Sequence, residues 1–556
     1  MSSNLPIVRD VRTRAFFLAA AIISIAIYYL TNSTGPQGLT PIFHHLFIML
    51  DSWGAFVDVL ILVAAAFVSR RLPAGSILLW LGEHPGSIAF ATFVILSVGS
   101  GLVYLHHPLA MDEYTQLFQS RIFAAGHLCG HFPPALMDWL IPEGFQNYFL
   151  FVSKETGAVA SSYWPSFALL LTPFTFLGIP WCLNPLISAA TVMVVRQLAV
   201  RIFGDLRTAG LAVLLTVASP VFYANGISYY SMPAHLLANS VFALLLTDPT
   251  PRRVFVAGVV GSIALTLHNP MPHLLFALPW LVWLATRPDR VRLLACAAAG
   301  YAPLCVLLGL GWFWFTAELR QDHLDTSVAA AAQLEHIQRL SQAFALPDSM
   351  ILWARLIGLA KIWVWAVPGL LLLSILGVRK HLDSPFPRLL LYSAVVTFVG
   401  MVFVPVDQGH GWGFRYFHPA WLALPILAAA AFTPRNTEQA ASANADLLSF
   451  VVAASLLTFT CAIALRFFQM HDFISAQVAQ VPAHRPTGKQ IVILDPRFGY
   501  YIGDLVQNDP WLRDETTWMI TRGSDEDARM MHESFPHLHR VYADQFGTVW
   551  SGAAAK

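Results

Sequence analysis

The chain has 556 residues, of which 56% are hydrophobic and only 12% are charged, and its mean hydropathy is +0.59. Soluble domains are about 45–50% apolar and about 25% charged, so these values exclude a soluble globular protein and indicate a chain covered by lipid. The net charge of +1 leaves no bulk basic surface for nucleic acid, and no two of the five cysteines form a Cys-x-x-Cys pair, so neither a zinc site nor a disulfide framework is predicted.

Apolar runs predict about thirteen membrane-spanning helices, because a span needs about 20 apolar residues. A further apolar run, 165–179, is punctuated by Pro165, Pro173 and Pro180, which predicts a broken or re-entrant helix packed in protein. The predicted spans hold few charged residues. They are 15–30, 53–69, 87–105, 182–203, 208–223, 232–247, 253–267, 272–286, 292–311, 350–377, 388–404, 417–433 and 446–467.

Lysine and arginine cluster at every second boundary between spans, as at Arg70/Arg71 and Arg252/Arg253. By the positive-inside rule these boundaries face the cytoplasm, so the N-terminus is predicted inside and the C-terminal tail outside. The other loops then gather on the extracytoplasmic face, where most polar side chains suited to catalysis are found. These loops are 106–164, 228–233, 268–273, 312–349, 405–419 and the tail after about 470.

The first large outer loop carries two adjacent carboxylates, Asp112 and Glu113, directly after an apolar run. Acidic residues at the mouth of a span are costly unless they have a function. The stretch 113–125 has helical periodicity and Gly126 suits its C-terminal stop, which predicts a helix lying along the membrane interface. Two interpretations of Asp112 stay open, an N-cap of this helix and a functional carboxylate.

Aromatic and histidine side chains occupy three further outer segments. Tyr163 and Trp164, like Tyr230, fit either a belt at the membrane interface or a wall against a sugar ring or isoprenoid. His268 and His273 stand five apart between two predicted spans. They fit either a metal or phosphate site or ordinary turn residues with satisfied hydrogen bonds.

A glycine-rich turn, 407–419, contains Arg415. Three glycines within five residues allow the backbone to approach a ligand closely, and a guanidinium suits phosphate. The alternative is an arginine that snorkels from a helix end. Because Arg415 lies on the predicted outer side, against the positive-inside trend, the functional interpretation is favoured.

The tail has a different composition and predicts a small α/β module. Lys489 to Pro496 reads as a strand closed by a turn, His539 to Tyr542 as a second strand, and Asp525 to Met531 as a short helix. The predicted domains are therefore a transmembrane domain, 1–469, and an extracytoplasmic α/β module, 470–556.

No P-loop, G-x-G-x-x-G or H-E-x-x-H motif is present, which argues against a pump driven by ATP. The main alternative to an enzyme is a transporter or flippase for a lipid-linked substrate. Such a protein places ionisable residues near the bilayer midplane, whereas the charges here are predicted in outer loops. An enzyme that uses an already activated donor is therefore favoured.

The order of several motifs resembles that of polytopic glycosyltransferases of the GT-C fold. The nearest branch is the bacterial one with the aminoarabinose and galacturonic acid transferases to lipid A, related to protein mannosyltransferases. The resemblance covers about 100–470, and the acidic pair is its most specific part. Its motifs are Met111-Asp112-Glu113-Tyr114 with Ala125-Gly126, Tyr163-Trp164-Pro165, Gly178-Ile179-Pro180 before Asn184-Pro185-Leu186, and Gly411-Trp412-Gly413-Phe414-Arg415-Tyr416.

This resemblance implies an all-α bacterial inner-membrane enzyme that transfers a sugar from a polyprenyl-phosphate donor to a lipid, glycan or protein acceptor with inversion. It implies that Asp112 is the base and that Glu113 helps to orient the site or the acceptor. Arg415 would bind the donor phosphate, with His268 and His273 next. No cofactor is required, and a divalent metal on the phosphate stays open because no ligand pattern demands one. The predicted substrate wall is Tyr114, Tyr163, Trp164, Tyr230, His235 and Tyr416.

Overall fold

A computed structural model describes residues 10–33, 40–320, 346–433, 438–483, 488–499 and 501–552. Most of the predicted outer loop 312–349 lies outside these residues. Seven of the described helical segments are long and apolar enough to cross a membrane, or eight if one pair bent by 61° is a single span. The prediction of a polytopic membrane protein is confirmed. The seven segments are Val11–Thr31, Pro41–Arg71, Pro85–Leu102, Pro180–Phe203, Arg290–Leu319, Pro385–Val402 and Ala445–Val478.

The α-helices are numbered here in chain order. The first eleven are α1 Val11–Thr31, α2 Pro41–Leu46, α3 Ser52–Val68, α4 Ala74–Glu83, α5 Pro85–Leu102, α6 Met111–Ala124, α7 Met137–Leu140, α8 Ser166–Phe176, α9 Leu183–Phe203, α10 Leu206–Val217 and α11 Pro220–Gly226. The others are α12 Met232–Leu246, α13 Pro251–Leu265, α14 Met271–Ala285, α15 Arg290–Leu304, α16 Gly311–Leu319, α17 Ser349–Val364, α18 Leu370–Lys380, α19 Pro385–Val402, α20 Ala423–Ala430, α21 Glu438–Leu457, α22 Ile463–Val478 and α23 Ser524–Ser534.

The predicted span 350–377 is wrong as a single helix. The structure has two helices there, α17 and α18, separated by a turn that contains Pro368 and the left-handed Gly369, with φ of 85°. Proline and a left-handed glycine both interrupt helical hydrogen bonding. Since α12, α13 and α14 have only 15 residues each, the count of thirteen spans stays a prediction.

Small residues allow the helices to approach closely. At the crossing of α4 and α10, a Cβ atom added to Gly210 would collide with the backbone carbonyl of Leu78. Contacts of this kind stabilise helix association in lipid, where there is little hydrophobic driving force between helices. They bring the helices of the membrane domain into close contact.

One cluster of buried charged side chains contradicts the expectation that the spans are nearly free of charge. Buried Asp51 lies at the end of a π-helical turn, Phe47–Asp51, and its carboxylate contacts Lys361 at 2.6 Å and Arg466 at 3.4 Å. The indole of Trp365 donates to the same carboxylate at 2.5 Å. Because the charges are paired and hydrogen-bonded, this ion cluster joins α3, α17 and α22 within the membrane domain.

The loop 106–164 folds against the top of the membrane helices. It contains α6, as predicted, and a three-stranded antiparallel sheet in the order β1-β3-β2, which the sequence analysis did not predict. The strands are β1 Gly130–His131, β2 Leu150–Val152 and β3 Ala158–Ser161. This sheet leads the chain into Tyr163 and α8, where Pro173 lies inside the helix.

The C-terminal module is a four-stranded sheet in the order β5-β4-β7-β6, with α23 connecting β5 to β6. The two predicted strands and the predicted helix are confirmed, whereas β5 and β7 were not predicted. The membrane helix α22 runs to Val478 before the module begins, so the domain boundary at 470 stays a prediction. The strands are β4 Gln490–Leu494, β5 Thr516–Ile520, β6 His539–Asp544 and β7 Gly547–Ser551.

Candidate active site

The start of α6 places Asp112 in the first turn of the helix. The N-cap is Ala110 and makes no side-chain capping bond, so the interpretation of Asp112 as the cap is wrong. Instead, the backbone N–H of Met111 donates to the carboxylate of Asp504 in the C-terminal module at 2.6 Å. The Asp112 side chain is therefore free to face the turn that carries Arg415.

Asp112 and Arg415 form a direct ion pair of 2.8 Å, although they are 303 residues apart in sequence. The hydroxyl of Tyr163 donates to the other oxygen of the same carboxylate. Burial alone would raise the pKa of Asp112, but Arg415, His268 and Tyr163 outweigh it and lower that pKa below its ordinary value. The carboxylate is consequently ionised at neutral pH.

The glycine-rich turn fixes the Arg415 guanidinium. Nε and Nη2 donate to the carbonyl oxygen of Gln408 at 3.1 and 2.5 Å, and the Gln408 side chain accepts from the Arg415 backbone N–H at 3.0 Å. Gly411 and Gly413 have φ of 148° and 66°, a backbone region that favours glycine. Because the guanidinium is held in this buried turn, the snorkelling interpretation of Arg415 is wrong.

The ion pair borders a cavity of about 420 Å³. Its other polar side chains include Asp407, His410, Tyr416 and Asp504, and its aromatic wall includes Phe145, Tyr148 and Phe149. A cavity of this size accommodates a small polar ligand. Charged and aromatic groups from the loop 106–164, the glycine-rich turn and the C-terminal module thus converge on one space.

Aromatic rings surround the guanidinium of Arg415. It lies 5.1 Å from the centre of the Tyr230 ring and 6.0 Å from that of Tyr416, within the range of cation–π attraction. The Tyr416 hydroxyl donates to the carbonyl of Asp407 at 3.0 Å, and the Tyr230 hydroxyl is 3.1 Å from Nδ1 of His410. Two residues of the predicted substrate wall therefore lie beside Arg415.

The two predicted phosphate-binding histidines have different settings. The ring centre of His268 lies 4.1 Å from that of Tyr163, beside Asp112, and burial lowers the pKa of His268 to about 4, so the ring is neutral. His273 is buried inside α14, where its two ring nitrogens contact the Asn239 side chain at 2.7 Å and the Tyr301 hydroxyl at 2.8 Å. Only His268 is close to the ion pair.

Glu113 faces away from the cavity. Its carboxylate accepts hydrogen bonds from the backbone N–H groups of Leu109 and Tyr229 at 2.9 and 2.8 Å and from the Tyr104 hydroxyl at 3.2 Å. Burial raises the pKa of Glu113 to about 7 in spite of these hydrogen bonds, which lower it. Glu113 therefore joins the start of the loop 106–164 to the turn that carries Tyr230.

Three other residues of the predicted wall lie outside the cavity. The Tyr114 hydroxyl exchanges hydrogen bonds with the backbone of Asn508 at 2.6 and 2.8 Å. Trp164 packs against Gly309, and His235 is fully buried in α12. For these three residues and for Glu113, the structure supports roles in packing rather than contact with a ligand.

The contribution of the C-terminal module to the site was not predicted from the sequence. Tyr501 and Asp504 line the cavity, and burial raises the pKa of Asp504 to about 8. No local motif marks these residues, because Asp504 is 393 positions from Met111, the residue of α6 to which it is hydrogen-bonded. Within the described residues, no group of three or more His, Cys, Asp or Glu side chains is placed to hold a metal ion.

Comparison with known proteins identifies the fold. No protein-family model matches the chain, and neither does any curated protein. ArnT from Cupriavidus metallidurans, in its crystal structure bound to undecaprenyl phosphate, matches with a TM-score of 0.52 and 14% identity over 84% of this chain and 98% of ArnT. The apo crystal structure of ArnT gives a TM-score of 0.49 and 13% identity over the same shares. The chain therefore has the GT-C fold of ArnT, as its motifs predicted.

Proposed function

We propose that the chain is an integral membrane glycosyltransferase that moves a sugar from a polyprenyl-phosphate donor to an extracytoplasmic acceptor with inversion. The observation that carries this proposal is the placement of an ionised carboxylate and a fixed guanidinium, Asp112 and Arg415, in one cavity at the top of the membrane helices. Such a pair supplies a proton acceptor and a site for an anionic leaving group.

In the proposed reaction, Asp112 accepts the proton of an acceptor hydroxyl group. The acceptor oxygen forms a bond to the anomeric carbon while the bond from that carbon to the phosphate oxygen breaks, and the electron pair leaves with the phosphate. A positioned base typically contributes about 10²–10⁴-fold to such a step. The lowered pKa of Asp112 ensures that the carboxylate is unprotonated when the acceptor arrives.

Arg415 stabilises the negative charge that develops on the leaving phosphate. A buried and preorganised cation is more effective here than one in water, because the local dielectric constant is low. His268 can add a neutral N–H donor beside it. We leave His273 out of this group, since both of its ring nitrogens already contact protein side chains.

The likeness to ArnT supports the choice of donor, because the ArnT crystal structure was solved with undecaprenyl phosphate bound. We extend this lipid class to the present chain as part of the proposal. In the orientation proposed from the arginine clusters, the cavity lies on the outer face of a bacterial inner membrane. Sugar transfer on that face requires no ATP, because a lipid-linked donor is already activated.

A transporter or flippase is the second candidate, and the buried ion cluster of Asp51, Lys361 and Arg466 is the observation that favours it. Ionisable residues inside a membrane often mark substrate or proton pathways. The cluster is fully buried and lines no part of the cavity. The Asp112–Arg415 pair does line it, so the enzyme remains the better supported function.

The test is Asp112→Asn in the purified protein supplied with radiolabelled undecaprenyl-phosphate sugars and a membrane extract as acceptor. Loss of the base should reduce sugar transfer by about 10²–10⁴-fold. Asp248→Asn is the matched control, because Asp248 forms an exposed carboxylate–arginine pair with Arg201 at 3.0 Å. Transfer by Asp112→Asn at the control rate would refute the base assignment, and movement of intact donor across vesicles without transfer would favour the transporter.

A further inference from the structure

Asp504 is an acidic residue of the C-terminal module, and no step of the proposed reaction uses it. It is 7% exposed and lines the cavity that also contains Asp112 and Arg415. One oxygen of its carboxyl group accepts the hydrogen bond from the backbone N–H of Met111 at 2.6 Å, and this is the only hydrogen bond that the group makes to another described residue. The carboxyl group is thus held by α6, while its second oxygen is available to a ligand in the cavity.

The surroundings of Asp504 favour its neutral form. Burial raises the pKa of Asp504 most strongly, and the nearby carboxyl groups of Asp112 and Glu113 raise it further. The backbone N–H of Met111 lowers it, and the resulting pKa is about 8. No lysine or arginine in the described part of the chain forms an ion pair with this carboxyl group. Asp504 is therefore mostly protonated at neutral pH.

Besides the Asp112–Arg415 pair, five titratable side chains line the cavity with Asp504. They are Tyr148, Asp407, His410, Tyr416 and Tyr501. The Asp407 carboxylate accepts hydrogen bonds from the backbone N–H and the hydroxyl of Thr40, both at 2.7 Å. Burial lowers the pKa of His410 to about 3, and it raises the pKa of Tyr416 to about 12 and that of Tyr501 further still. The titration of Asp504 can therefore be distinguished from that of these three rings.

The balance of charge in the cavity decides which form of Asp504 is compatible with a bound phosphate. Arg415 is the only lysine or arginine among the described residues of the lining, and its charge is already paired with that of Asp112. An ionised Asp504 would therefore repel a phosphate. A neutral carboxyl group instead offers an O–H donor to an anionic oxygen, and charge-assisted hydrogen bonds of this kind are short and strong. A buried aspartate that stays protonated can serve an active site in this way.

We infer that Asp504 is a further catalytic residue, a neutral carboxylic acid that donates a hydrogen bond to the leaving phosphate of the donor lipid. Its O–H binds a non-bridging phosphate oxygen while the bond from the anomeric carbon to the phosphate oxygen breaks. The proton stays on Asp504, and the proton of the acceptor hydroxyl goes to Asp112, so the step needs no other acid or base. This inference rests on the proposed function and adds a residue of the C-terminal module to its phosphate site.

The test measures binding of radiolabelled methyl undecaprenyl phosphate to the full chain in phosphatidylcholine nanodiscs. This phosphodiester keeps a single negative charge at neutral and alkaline pH, and its binding requires no turnover. The Kd of the wild type should rise by about tenfold from about pH 7 to about pH 9, because the protonated fraction of Asp504 falls by that factor.

Asp504→Asn separates titration from structure. The amide keeps an oxygen for the Met111 N–H and an N–H donor for the phosphate, but it does not titrate. Its Kd should match that of the wild type at about pH 7 and change by less than about twofold up to about pH 9. In sugar transfer from radiolabelled undecaprenyl-phosphate sugars, kcat/KM should likewise fall by about tenfold over this range in the wild type but not in Asp504→Asn, because kcat/KM reports the titration of the free enzyme.

Asp509→Asn is the matched control and should keep the pH dependence of the wild type. Asp509 belongs to the same module and is 9% exposed, but it pairs with Arg513 at 3.1 Å and lies outside the lining of the cavity. A constant Kd of the wild type, or equal pH dependence of the wild type and Asp504→Asn in either measurement, would overturn the inference and leave the proposed function intact. Failure of the wild type to bind the phosphodiester at neutral pH would instead refute the polyprenyl-phosphate donor, and the role of Asp504 with it.

Discussion

The carboxylate of Asp112 has two kinds of partner. Arg415 contributes a full positive charge, whereas the Tyr163 hydroxyl contributes one neutral donor. Both lower the pKa of Asp112, but of the two only Arg415 also lines the cavity. The effect of Tyr163 on the base can therefore be tested without removing the proposed phosphate site.

Tyr163→Phe should move the acid limb of the pH–rate profile to higher pH. The carboxylate must be unprotonated to act, and losing a donor that lowers its pKa makes protonation easier. One neutral hydrogen bond is worth about 0.5–1.5 kcal/mol, which corresponds to a shift of about one pH unit or less. The measurement is sugar transfer across acidic pH, with the exposed Tyr392→Phe as control; an unmoved acid limb would contradict the prediction.

At the residue scale, sequence alone could identify Asp112 and Arg415 because each is a charge in an unusual place, a polar loop beside apolar runs. It could not identify Gln408, whose carbonyl holds the guanidinium, since backbone carbonyls are present at every position. Glu113 shows the opposite limit. Its sequence position is as unusual as that of Asp112, yet the direction of its side chain is set by a hydrogen bond that it accepts from the backbone N–H of Tyr229, 116 residues away.

At the element scale, apolar periodicity predicts long spans well, but it predicts poorly where a turn interrupts a span. The segments around α1, α5 and α19 match the predicted spans within a few residues. The error at 350–377 arose because Pro368 and Gly369 lie in an otherwise continuous apolar run, so hydropathy hides the turn. Strand β2 was missed because three residues are too few to form a pattern. Strand β7 was missed because Gly547, Thr548 and Ser551 flank its apolar residues, whereas β4, of the same length, has a continuous apolar run.

The ion cluster in the membrane domain links elements rather than single residues. Lys361→Met should destabilise the protein by about 3–5 kcal/mol, because it leaves the buried carboxylate of Asp51 with an incomplete set of partners. Thermal unfolding in detergent, followed by intrinsic fluorescence, measures the effect. The same substitution at Lys154, whose pair with Asp138 is partly exposed, should cost about 1 kcal/mol or less.

Equal unfolding temperatures for Lys361→Met and Lys154→Met would show that the cluster does not hold α3, α17 and α22 together. A large loss of stability at position 361 alone would also weaken the transporter interpretation. The reason is that a charged side chain with a structural role keeps its partners, whereas one in a transport pathway must change partners during transport.

At the scale of the whole molecule, the membrane domain and the C-terminal module share α6. The Tyr114 hydroxyl both donates to and accepts from the backbone of Asn508, and Trp139 donates to Asp527 at 2.8 Å. The helix that carries Asp112 is thus packed against both parts. A separate small module was predicted from the sequence but its contact with α6 was not, because composition shows where a segment changes and not which surface it contacts.

Tyr114→Phe should loosen the module without unfolding the membrane helices. It removes two buried hydrogen bonds and leaves polar backbone atoms of Asn508 unpaired, at about 1–3 kcal/mol each. Hydrogen–deuterium exchange should rise across β4 to β7 while α9 and α12 stay protected. Tyr29→Phe, at an exposed position on α1, is the control, and unchanged exchange in the module would contradict the role given to Tyr114.

The hydrogen bond from Met111 to Asp504 also has a consequence for biosynthesis. A ribosome that has just made Met111 must translate 393 more residues before its partner exists. At about 5–20 residues per second this delay is about 20–80 s. Throughout that interval the first turn of the nascent helix lacks this hydrogen bond, so a half-made chain already inserted in the membrane cannot yet hold the start of α6 as the complete chain does.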